Sequence, residues 1–135
     1  MASVPTSSTL QNLLVAHAHA DRKLDALMAA AKKNDHAAIA SQWKLLDAEM
    51  RAHLASEEEL LFPLYAAIAP KDVEGLLVAH GQIRRRLDDA GAAAARDALD
   101  RKQLLDLMNL LVAHHAAEVT GVYRWARARE TTPGA

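Results

Sequence analysis

Four stretches of the chain place apolar residues at helical spacing, and each stretch is centred on a histidine. Leu10, Leu13, Leu14, Ala20 and Leu24 surround His17; Leu46, Met50, Leu60, Leu61 and Leu64 surround His53. Val73, Leu76, Leu77, Ile83 and Leu87 flank His80, and Leu107, Leu110, Leu111, Val122 and Trp125 flank His114. A period near 3.6 marks amphipathic helices whose apolar stripe faces a core. The histidines share that stripe, so all four are expected to point inward.

Local signals set the expected boundaries. Ser8-Thr9-Leu10-Gln11 fits a capping box, and Lys32-Lys33-Asn34 suits a helix C-terminus. Asp35 can cap a second helix running through Trp43 to Phe62, with Pro63 expected to kink it and Pro70 to stop it. Asp72 opens a third that ends near Gly91, and residues 92–99 read as a loop or an extra helical turn. Asp100 with Gln103 three residues on opens the fourth, which closes in the arginine-rich run Arg124 to Arg129. Short connections make neighbouring helices antiparallel. The expected fold is all-α, an antiparallel up-down-up-down four-helix bundle over residues 10–128, with a frayed N-terminus at 1–9 and a flexible tail at 129–135.

Composition agrees. The 135 residues suffice for one domain with its own core, and 51% are hydrophobic although only 4% are aromatic. Alanine and leucine dominate, both strong helix formers. The chain has no cysteine, which excludes disulfides, thiolate zinc sites, iron–sulfur ligation and covalently attached haem. A formal net charge of -1 with both signs interleaved argues against nucleic-acid or anionic-membrane partners and, with few aromatics, favours a monomer. No signal peptide or apolar run of membrane-spanning length is read, so a cytoplasmic location is expected.

The polar residues on the inward stripes carry the chemistry. Leu-Leu-Val-Ala-His occurs three times, ending at His17, His80 and His114. His53 and His114 each have a glutamate four residues on, Glu57 and Glu118, which places nitrogen and carboxylate on the same helix face. The segment Leu13 to Asp25 aligns with Leu76 to Asp88 at an offset of 63, and His53/Glu57 aligns with His114/Glu118 at an offset of 61. Each half of the chain therefore reads as a helix with one histidine followed by a helix with His-x3-Glu. Six such groups left unsatisfied in a core would cost several kcal/mol. A metal centre removes that cost, and imidazole with carboxylate suits iron, zinc or manganese. Two carboxylates can hold two ions about 3.5–4 Å apart, and six donors leave positions for small ligands. Ferritin-like sites use Glu-x-x-His, which is absent here.

The order His, His-x3-Glu, His, His-x3-Glu, with Leu61-Phe62-Pro63 after the first pair, resembles the hemerythrin-like HHE cation-binding family over about Leu10 to Trp125. By that resemblance His17, His53, Glu57, His80, His114 and Glu118 would hold two iron ions, with both glutamates and an oxo, hydroxo or water ligand as bridges. The resemblance implies a protein that binds or senses dioxygen, or an enzyme acting on peroxide or nitric oxide, or one that stores or delivers iron. Delivery for cluster repair is the weaker expectation, because repair members carry a cysteine-containing N-terminal domain and none is read here. Oxygen-carrying members have a further histidine one turn after the third ligand, where this chain has Arg84. That departure tilts the expectation from reversible carriage toward sensing or reactive chemistry.

Asp21 takes the place of Arg84 in the repeat, and the two are expected to face each other near one end of the core. His19, His36 and His115 are expected in solvent, and Glu58 is angled away from Glu57's face. Trp43 and Trp125 are expected in the core, with Tyr65 and Tyr123 at the bundle ends, Met50 and Phe62 walling the pocket, and Arg84-Arg85-Arg86 on a solvated face.

Overall fold

The computed structural model describes residues 7–129. Its first helix, α1 (Ser7–Lys32), ends where Asn34 turns into the left-handed region at φ 53°, and α4 (Pro70–Ala95) ends the same way on Asp97 at φ 55°. Asparagine and aspartate tolerate that conformation better than other residues with a side chain. At both ends the next amide reaches back to a carbonyl of the last turn: Asp35 N–H to Ala30 O at 3.0 Å, and Ala98 N–H to Ala93 O at 2.7 Å. These are Schellman closures, and they stand 63 residues apart like the histidines before them. The sequence repeat is thus also a repeat of backbone turns.

Each turn launches the second helix of its half. Asp35 caps α2 (His36–Leu60) by accepting from Ala38 N–H at 3.1 Å. Asp100 and Gln103 form the expected capping box before α5 (Arg101–Thr120), at 2.9 and 3.0 Å. The long helices pack in a ring, α1 on α2, α2 on α4, α4 on α5 and α5 on α1, while α1 and α4 lie across the diagonal with no close approach of their backbones. This is the expected all-helical bundle. None of its described helices is long and apolar enough to cross a membrane.

Several boundaries differ from expectation. α1 is already helical at Ser7, so Ser8 and Thr9 lie inside it rather than at a frayed start. The remainder of the expected N-terminal fraying, and residues 130–135 of the expected tail, lie outside the described residues. Pro63 does more than kink α2: the helix stops at Leu60, and a five-residue helix α3 (Phe62–Ala66) follows with the proline in its first turn. Pro70 opens α4 instead of only stopping its predecessor, because the first helical residue has no use for an N–H. α4 continues past Gly91 to Ala95, carried by alanines, and Gly91 leaves room for Trp43, whose Nε1 lies 3.4 Å from where a Cβ would stand. The fourth helix is also broken, at Gly121, before α6 (Val122–Arg129).

Two apolar clusters fill the bundle. One holds Leu24, Trp43, Leu46, Ile83, Leu87, Leu104 and Leu107; the other holds Leu10, Leu61, Phe62, Tyr65, Leu76, Val122 and Tyr123. Along each half-bundle the helices run from one cluster to the other, and the histidines lie at the crossing. Leu60 and Leu77, read as part of the inward stripe, are instead 47% and 44% exposed.

Candidate metal centre

The six inward residues of the sequence pattern meet at that crossing. Glu57, His80 and Glu118 are fully buried, His53 and His114 nearly so, and His17 is partly buried. Their donor atoms form two groups, His17, His53, Glu57 and Glu118 in one, and Glu57, His80, His114 and Glu118 in the other. Both glutamates belong to both groups. Glu57 turns Oε2 toward His53 Nε2 at 3.2 Å and His17 Nε2 at 3.4 Å, and Oε1 toward His80 Nε2 at 3.1 Å. Glu118 turns Oε1 toward His17 Nε2 at 3.3 Å, and Oε2 toward His114 Nε2 at 2.9 Å and His80 Nε2 at 3.5 Å.

These approaches are close but are not all hydrogen bonds. Glu57 Oε1, both oxygens of Glu118, His80 Nε2 and His114 Nε2 are buried without a hydrogen-bond partner. Such orphans are costly in a protein interior. Carboxylate oxygens and imidazole nitrogens that crowd together without hydrogen-bonding form an arrangement that a shared cation would satisfy. Donors about 2.1 Å from one ion and at right angles to each other lie about 3.0 Å apart, and the observed separations of 2.9–3.5 Å match the edges of such a polyhedron. The donor set fits two cations, one per group.

Without metal, charge holds the cluster together. Burial alone would lower the His17 and His80 imidazoles, but contacts with Glu118 and Glu57 outweigh it, and Glu58 adds to the effect at His80. Both histidines rise from 6.5 to about 9. Burial would raise Glu57 and Glu118, yet the imidazoles around them hold both carboxyls below the usual range.

Five further residues complete the site. Tyr123 donates its hydroxyl to Glu57 Oε2 at 2.6 Å, and its ring stands edge-on to His17. Burial and the neighbouring Glu57 push the phenol far up, so it stays a donor. Phe62 occupies the matching position of the first half and packs on the His80 ring, with centroids 5.0 Å apart. His80 Nδ1 meets Glu58 Oε2 at 2.7 Å, and Arg84 clamps Glu58 with two bonds of 2.8 and 2.9 Å. His115 Nδ1 contacts His17 Nδ1.

Several of these placements depart from the sequence reading. Arg84 pairs with Glu58 and not with Asp21, which is exposed on α1 across the diagonal. His115 is partly buried against His17, whereas His19 and His36 are exposed as expected. Glu58 and His115 each lie about 100° around the helix from a candidate ligand. That angle removes them from the ligand face but aims them at the neighbouring helix, at His80 on α4 for Glu58 and His17 on α1 for His115. The signal was available in the order of the helices around the ring.

Two grooves flank the centre. One of about 470 Å³ between α1 and α2 reaches His53 past Leu13, Met50 and Ser56. The other, of about 670 Å³ between α4 and α5, reaches His114 past Leu76, Ala113 and Ala117. Small molecules therefore have a surface depression beside each half of the site.

A bundle that shares two carboxylates between two sets of imidazoles defines a class of cation-binding helical proteins. The family model for the hemerythrin HHE cation binding domain matches residues 8–126, and the chain belongs to that family. No curated protein and no solved structure matches it.

Proposed function

We propose that the protein is a non-haem di-iron protein that binds or senses dioxygen or a related small oxidant. The observation that carries this reading is the division of Glu57 and Glu118 between two donor groups, one oxygen turned to each. His17 and His53 would complete one position, His80 and His114 the other. Iron held there would supply a redox couple and coordination positions open to a small ligand. The chain itself supplies the surroundings: apolar clusters above and below that exclude bulk water, a phenol that keeps one oxygen of Glu57 engaged, and grooves that admit small molecules.

A second reading places an enzyme on the same residues, acting on peroxide or nitric oxide. It is favoured by Arg84, which stands where oxygen carriers have a fifth histidine and is committed to Glu58. The test is metal content of natively purified protein, paired with the visible spectrum of the reduced protein on admission of air. Two irons per chain with a reversible new absorption band support binding. Irreversible oxidation with turnover of added peroxide moves the enzyme to first place. One zinc per chain, or no metal, overturns both.

A further inference from the structure

The two donor groups are built from a sequence repeat, yet their surroundings are not alike. In the second group the His80 imidazole is backed by a carboxylate: Nδ1 sits 2.7 Å from Glu58 Oε2, and Arg84 holds that carboxylate by both oxygens. In the first group the matching imidazole, His17, is backed by His115, a neutral or positively charged ring that cannot supply the same pull on the Nδ1 proton. The repeat position of Glu58 is occupied by Val119, and that of Arg84 by Asp21. Burial differs in the same sense, since His80 is fully buried and 13% of the His17 side chain is exposed.

A carboxylate on the far nitrogen of a ligating histidine fixes its tautomer, aims the other nitrogen and raises its basicity. Resting on the di-metal reading above, we infer that the two positions are unequal: the group of Glu57, His80, His114 and Glu118 takes the first ion and holds it more tightly, with Glu58 and Arg84 as positioning residues. The group containing His17 fills second and exchanges faster. Binding of the first ion orients Glu57 and Glu118, so the second position is completed by the first.

The experiment is a titration of the metal-free full chain with Co²⁺, followed by calorimetry and by the visible absorption of the bound ion. Two resolved steps are expected, separated by about tenfold or more in Kd. Glu58→Ala weakens the first step by about 10–100-fold and leaves the second within a few-fold of its value; Glu58→Gln, which keeps an acceptor but loses the charge, falls between. His115→Ala shifts only the second step. Thermal melts of the metal-free variants separate a local effect on the first step from a general loss of structure. Two indistinguishable steps in the unaltered protein overturn the inference, as does a Glu58→Ala loss spread equally over both. Absence of any Co²⁺ binding overturns the metal-centre reading itself, and is thereby told apart from failure of the inequality.

Discussion

Tyr123 donates its hydroxyl to Glu57 at 2.6 Å, joining the last described helix to the second and closing one side of the buried cluster. Hydrogen bonds to charged groups contribute about 1.5–3 kcal/mol, and losing one partner leaves the other unsatisfied. Tyr123→Phe is expected to destabilise the metal-free protein by about that amount while the helical content persists. Urea denaturation followed by circular dichroism measures it; an unchanged midpoint would show that the bond contributes nothing.

The metal-free bundle should have a preferred pH window. His17 and His80 are raised from 6.5 to about 9, so the stability they contribute is fully present below pH 6.5 and is lost as pH rises through about 9. Glu57 and Glu118 are held below 4.5, so their contribution is present above pH 4.5 and is lost as pH falls. The chelator-treated protein should therefore melt highest between these limits, and melting curves across the range test it. Metal affinity should instead rise with pH up to about 9, because ligation requires the imidazoles to give up their protons. A flat melting profile would contradict the charge pairing described.

Two glycines should respond in opposite directions to a single methyl group. Gly81 lies within α4 with nothing within 4 Å of a Cβ, so Gly81→Ala should stabilise by about 0.5–1 kcal/mol through helix preference. At Gly121 a Cβ would stand 3.1 Å from Ala117 O and 3.7 Å from the Tyr65 hydroxyl. Gly121→Ala should cost about 1 kcal/mol and disturb the aim of Tyr123, two residues on. Thermal melts of both variants with the same sign of shift would refute this contrast.

Metal stoichiometry should separate Glu118 from Asp21. Glu118 serves both donor groups, so Glu118→Gln should abolish binding of two ions per chain. Asp21 is exposed and lies across the bundle from Arg84, so Asp21→Ala should leave the metal content unchanged. Metal analysis of the two purified variants decides, and a loss at Asp21 would restore a role for it at the site.

The fold was readable in the chain because helical periodicity is local, and the histidines lie on the same stripes as the leucines. The Asp35 and Asp100 caps were readable for the same reason: a short polar side chain reaches only its own next turn. What escaped depends on which helix neighbours which. Asp21 and Arg84 match in the repeat, but α1 and α4 are diagonal partners whose backbones stay apart, whereas α2 and α4 are neighbours, and Glu58 takes Arg84. Pro63 signalled a kink but not the full break at Leu61, and the break at Gly121 escaped because an apolar stripe continues through it; at both, the backbone turns to bring Phe62 and Tyr123 over His80 and His17.

Neither hairpin owns a complete set of donors. The group with three members from the first half needs Glu118 from the second, and the group with three from the second needs Glu57 from the first. An ion seated in either therefore acts as a clasp across the seam between halves. Occupancy and closure of the seam become one event, so a fragment carrying a single hairpin should grip cations poorly until its complement is supplied.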